Sequence, residues 1–213
     1  MKIVLLVIFC LLKAPSSWAQ DERFFRKLFS GDLARPTDIV DQKKYSYLIH
    51  TPEYAIDLDD DKKSESLVFV KRDSEDWIDV FNSYHELIFQ YRFEEKGVNS
   101  GVYRVVKKQI DQNTNALVLF YFEGETKYVD HETSARVYVL TIDKKNLKKL
   151  SVFKGPSIFE EYKSLKNHYH LRNYQVEVSD LNLDKRRELI VKYHGVSQVF
   201  FYQGEGKWLT FKR

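Results

Sequence analysis

From Tyr45 onward the chain is written in short runs of β-branched and aromatic residues, each broken by a charged or small-residue turn. YSYLIH, SLVFVKR, WIDVFN and ELIFQYRF form one set, and VYRVVKK, ALVLFYFE, ARVYVLTI and LKKLSVF a second. NYQVEVS, ELIVKYH, QVFFYQ and WLTFKR make a third. Such side chains pack well on a pleated surface and lose rotamer freedom against a helical turn. Runs of this length between turn signals read as strands. Three sets of four predict one all-β domain over 45–213, in antiparallel units at about 45–93, 101–153 and 172–212. Two segments interrupt the pattern. DERFFRKLFSGD (21–32), inside a helix-and-linker region 20–44, places Phe24, Phe25, Leu28 and Phe29 together and stops near Gly31. PSIFEEYKSLKNHYH (156–170) carries Pro156 near its start and predicts an inserted helix.

Between the first two runs of the first set lies IDLDDDKKSE, in which Asp57, Asp59, Asp61 and Glu65 occupy positions one, three, five and nine. SDLNLDKRRE repeats the spacing with Asp180, Asn182, Asp184 and Glu188, and an apolar strand follows in both cases. Alternate residues of a tight loop can turn their side chains toward one centre, and calcium takes six to eight hard oxygen ligands. Position seven, Lys63 or Arg186, would add a backbone carbonyl while its cationic side chain points to solvent. The same pattern also suits a solvated acidic turn. QIDQNTN, with Asp111, Asn113 and Asn115, reads as a shortened relic of this hairpin without metal.

The two loops resemble the D-x-[DN]-x-D-G-x-x-[DE] calcium hairpins of FG-GAP/VCBS β-propeller repeats, the type found in integrin alpha subunits. The resemblance implies a hairpin joining the first two strands of each four-stranded blade. It also implies metal oxygens from Asp57, Asp59, Asp61 and Glu65, and from Asp180, Asn182, Asp184 and Glu188. The family's glycine at position six is Lys62 here and Lys185 in the second loop. A left-handed backbone there costs a non-glycine residue roughly 1–2 kcal/mol, so weak calcium sites are expected. On this reading the fold is three propeller-like blades with a short N-terminal helix and one inserted helix. The ring is left incomplete, capped by helices, or closed by self-association with another copy. A β-sandwich or barrel of similar hairpins is the alternative.

MKIVLLVIFCLLKAPSSWAQ has a basic start, a short apolar run and small residues before a cut after Ala19, the layout of a signal peptide over 1–19. Export to the periplasm or the extracellular space is the expectation. Cys10, the single cysteine, lies inside that leader, which leaves no disulfide to hold the mature domain. The formal charge of +3 falls to +1 once Lys2 and Lys13 are removed, which gives no reason to expect nucleic acid. No later apolar run is long enough to predict a transmembrane helix. His168 and His170 have no third ligand nearby in sequence, and no nucleophile elbow, P-loop or zinc-protease motif is present. No catalytic residue is therefore assigned. The expected role is a non-enzymatic binding or structural module, stabilised by calcium, facing a protein or glycan partner. An exported enzyme such as a hydrolase, with a loop-built site, is the competing expectation.

Overall fold

The computed structural model describes residues 53–94, 100–125, 131–163 and 169–211. The leader, the helix expected over 21–32, the YSYLIH run expected as the first strand and His168 lie outside them. The described chain is all-β, in three antiparallel sheets. The first holds β1 (Glu53–Ile56), β2 (Glu65–Arg72), β3 (Glu75–Phe81) and β4 (Leu87–Arg92). The central sheet holds β5 (Ser100–Gln109), β6 (Asn115–Glu125), β7 (His131–Ile142), β8 (Leu150–Lys163) and β9 (Tyr169–Asn173). The third holds β10 (Gln175–Ser179), β11 (Glu188–Tyr193), β12 (Val196–Tyr202) and β13 (Trp208–Phe211). In every sheet, neighbours in space follow chain order.

The expected helix over 156–170 is a correction. β8 runs through Lys163 and β9 begins at Tyr169, with Phe159 paired to Asn173 and Lys163 to Tyr169. The segment satisfies its backbone groups on the open edge of β7, where Ala135 pairs Phe159 and Tyr138 pairs Lys154. The register shifts between these pairs, and Pro156 falls within the irregularity, where a missing N–H is tolerated. Gly155 lies against Val137, and a Cβ there would meet the Val137 carbonyl oxygen at 2.9 Å. Apolar residues at helical spacing were outweighed by a long neighbouring strand that needed a partner. The central sheet consequently has five strands instead of four.

The central sheet is covered on both faces. Leu117, Leu119 and Tyr121 join Leu58, Leu67, Ile78, Val80 and Phe93 of the first sheet and its loop in one core. Ala116, Val118 and Phe120 join Leu189, Val191, Phe200 and Trp208 of the third sheet in another. Two-sided burial explains why ALVLFYF reads as a continuous apolar run where β1 alternates. Each fully buried side chain of this size contributes about 1.5–3 kcal/mol. Phe93 closes the first core, stacked 4.8 Å from Tyr121 and edge-on to Tyr138 at 5.0 Å. The β1–β2, β5–β6 and β10–β11 connections lie beside one another, because the middle one bonds to both flanking loops. Asn115 Nδ2 donates to the Leu58 carbonyl (2.8 Å), and the Arg187 N–H donates to the Ile110 carbonyl (2.8 Å).

Candidate metal centres

Both acidic loops fold by the same internal hydrogen bonds. Position one accepts from the N–H of position six: Lys62 to Asp57 Oδ2 (3.0 Å) and Lys185 to Asp180 Oδ2 (2.9 Å). Position three accepts from position five: Asp61 to Asp59 Oδ1 (3.3 Å) and Asp184 to Asn182 Oδ1 (3.1 Å). Position five accepts from position seven at 2.7 Å in both, Lys63 to Asp61 Oδ1 and Arg186 to Asp184 Oδ1. Position nine reaches back to the N–H of position two, Leu58 to Glu65 Oε2 and Leu181 to Glu188 Oε2, each 2.8 Å. Asp and Asn close such turns readily because their side chains mimic a backbone acceptor. Positions four and six are left-handed in both loops: Asp60 (65°) and Lys62 (71°), Leu183 (61°) and Lys185 (70°). The lysine at position six thus adopts the conformation for which a glycine is suited.

These turns gather the carboxylates. Oxygens of Asp57, Asp59 and Asp61 lie within 4.8 Å of one another, as do those of Asp180, Asp184 and Glu188. The two triples draw on different positions of the same loop. Asn182 serves inside the second turn, donating from Nδ2 to Asp184 Oδ2 (3.0 Å). The side chains at position seven turn to neighbours: Lys63 Nζ to the Tyr84 hydroxyl (3.4 Å) and Arg186 Nε toward Asp111 Oδ2 (3.9 Å). Glu65 and Glu188 are almost fully buried.

One oxygen in each loop is left over. Asp57 Oδ1 and Asp180 Oδ1 are buried without a hydrogen-bond partner, at the same position of both loops. An unsatisfied buried polar atom costs about 1–3 kcal/mol, and more when charged. Burial pushes the Asp59 and Glu65 carboxyls above their ordinary range, and repulsion from the neighbouring aspartates adds to the push. Carboxylate oxygens gathered in this way, one of them without a partner in each loop, could hold a hard divalent cation.

The spacing argument passed over Asp60, which is out of phase with the alternation. Its carboxylate is gripped by the central sheet: Lys107 at 2.5 Å, Lys145 at 2.9 Å and Asn115 Nδ2 at 2.9 Å. Lys107 also donates to the Asp57 carbonyl. These cations, Lys107 first, hold Asp60 far below the usual carboxylate range. The signal available was the middle aspartate of the three consecutive ones in DLDDD. Asn115, read as part of a relic hairpin without metal, ties β6 to the first loop. His170, on β9, is exposed.

No family model, curated protein or solved structure matches the chain.

Proposed function

We propose that this chain is an exported, non-enzymatic binding or structural module whose two acidic hairpins hold calcium and whose three sheets stand as propeller-like blades. The carrying observation is the buried, unpartnered Oδ1 at position one of each loop, beside carboxylates gathered by matching turns. Asp57, Asp59, Asp61 and Glu65, and Asp180, Asn182, Asp184 and Glu188, would hold the ions, with the Lys63 and Arg186 carbonyls as further ligands. Calcium would supply charge neutralisation and fix the loop ends against the central sheet. The binding surface would be the blade edges and loops, facing a protein or glycan.

Calorimetric titration of the mature protein is expected to show two calcium sites in the ~0.1–1 mM range of extracellular modules, with magnesium substituting poorly because it demands a smaller octahedron. No heat at several millimolar calcium, with a melting point indifferent to calcium and chelator, would overturn the reading. Mass spectrometry of exported protein is expected to find an N-terminus near Gln20, and an intact Met1 would refute export by cleavage.

A further inference from the structure

Beside the second acidic loop is a cleft of about 650 Å³, walled by four turns. They are the β5–β6 turn at Gln112, the turn at Asp143 and Lys144, the loop at Asp184 and Lys185, and the β12–β13 turn at Gln203. The volume is in the range of small-molecule sites. Four carboxylates and four cations line it, so the formal charges balance, and every carboxylate accepts a hydrogen bond or faces a cation. Asp143 accepts from the Tyr202 hydroxyl (3.1 Å), Asp111 Oδ1 from the Asn113 N–H (2.8 Å), and Asp184 Oδ1 from the Arg186 N–H, while Glu205 faces Lys207 at 3.8 Å. The Lys144 and Lys185 ammonium groups are different: among the described residues neither has a hydrogen-bond or ion-pair partner. Both residues sit in left-handed backbone, at φ 54° and 70°.

The formal charges of the lining cancel, but Lys144 and Lys185 are exposed, and a ligand can reach these two ammonium groups without displacing a protein partner. Around them, Gln112, Asn113 and Gln203 offer amides that both donate and accept, the complement of hydroxyl groups. Tyr202, the one aromatic residue in the lining, is buried, and the lining holds no Leu, Ile, Val, Met or Phe side chain to anchor a hydrophobic ligand. Apart from Tyr202 the walls are turn residues, so no strand edge offers ladder bonds to an extended peptide.

We propose that this cleft binds an acidic saccharide, a hydroxyl-rich ring carrying a carboxylate or sulfate, and that calcium in the second loop strengthens the binding. The second half rests on the calcium reading above. Asp184 belongs both to the cleft wall and to the carboxylate triple. A cation held there cancels negative charge on the wall and leaves Lys144 and Lys185 in excess.

The test is titration of the mature protein, with calcium and with chelator, against four probes. They are a hyaluronan oligosaccharide (carboxylate), a chondroitin sulfate oligosaccharide (carboxylate and sulfate), a neutral maltooligosaccharide and a polyglutamate peptide. Binding of one or both acidic saccharides alone, weakened severalfold by chelator, is expected, and comparing the two separates carboxylate from sulfate recognition. The double variant Lys144→Gln/Lys185→Gln should lose about tenfold in affinity, equivalent to about 1.4 kcal/mol, while still showing two calcium sites in its calcium titration. The control Lys148→Gln/Lys149→Gln, at exposed positions outside the cleft, should bind as the wild type does. Calcium heat without saccharide binding overturns the cleft and leaves the loop reading standing. Saccharide binding without calcium heat overturns the loop reading and the coupling together. Equal binding of polyglutamate, or equal loss in the control variant, overturns the ligand class as nonspecific charge attraction.

Discussion

The two acidic loops share an internal hydrogen-bond plan and differ in what stands behind them. In the first, Leu58 is fully buried in the core and Asp60 is gripped by Lys107, Lys145 and Asn115. In the second, the residues at those two positions are Leu181, 52% exposed, and Leu183, 85% exposed. Spacing within ten residues is enough to set the local turn. Only the neighbouring sheet decides whether that turn is anchored. The second loop is held at its far end instead, where Arg187 donates to the Ile110 and Gln109 carbonyls. Two sites with one sequence pattern therefore begin from unequal preorganisation.

The largest expected difference is in the leucines at position two. Leu58→Ala removes a fully buried side chain, and such truncations cost about 2–5 kcal/mol. Leu181→Ala touches an exposed residue and should stay within about 0.5 kcal/mol of the wild type. Urea denaturation of the two variants measures both. Equal destabilisation would mean that the second loop is as firmly packed as the first, and the contrast would collapse.

Position four should give the next largest effect. Asp60→Ala leaves Lys107 and Lys145 without their carboxylate. The network is part-exposed, so solvent screening limits the expected loss to about 1 kcal/mol. Leu183→Ser should cost nothing measurable. The Asp60 pKa is depressed, so its contribution is full at pH above the ordinary carboxylate range. It is lost progressively as the pH falls from the ordinary carboxylate value down through the much lower folded one.

How much of this was legible in the sequence follows from the range of the interactions involved. Most strand runs and both acidic turns depend on contacts within a few residues, and alternation, turn residues and spacing exposed them, whereas the short β1 at Glu53–Ile56 was not among the expected runs. The sheet formed by β8 and β9 depends on β7 needing a partner, which no local pattern records; Ile158, Phe159 and Tyr162 suited either a helix face or a strand. The role of Asp60 depends on Lys107, Asn115 and Lys145, between 47 and 85 residues later in the chain. The buried Oδ1 atoms of Asp57 and Asp180 were likewise invisible, because burial of one carboxylate oxygen is a property of the folded neighbourhood.

Calcium should sharpen the comparison by a smaller amount. A ligand bound only by the folded state stabilises it by about 1 kcal/mol when its concentration is about fivefold above Kd. Asp57→Asn and Asp180→Asn each remove charge from the position whose Oδ1 is orphaned, so each should abolish one site's share of the calcium-induced rise in melting temperature. The first loop carries an aspartate at position three and a firm anchor, so Asp57→Asn should remove the larger share. Equal shares would show that preorganisation contributes little to affinity.

The smallest effect is the pH dependence of the calcium-free protein, and its sign is opposite to that of Asp60. Asp59 and Glu65 titrate above their ordinary values in the folded state, chiefly because they are buried and secondarily because Asp57 and Asp61 repel them. Between the unfolded value and the raised one, the folded state binds more protons than the unfolded state. Stability contributed by these groups therefore rises as the pH falls into that window and declines as the pH rises out of it. Asn182, at position three of the second loop, does not titrate, so Asp59→Asn gives the first loop the second loop's chemistry there. Glu94 and Glu177 have depressed values and oppose the trend in both proteins alike, so the informative quantity is the difference between wild type and variant at each pH. In chelator, the wild type should lose melting temperature relative to Asp59→Asn as the pH rises from the ordinary carboxylate range through the raised folded value. With calcium the order should reverse, because cation binding requires ionised carboxylates and strengthens as they lose their protons. A difference that ignores both pH and calcium would mean that Asp59 is an ordinary solvated carboxylate, and the first loop an acidic turn without an ion.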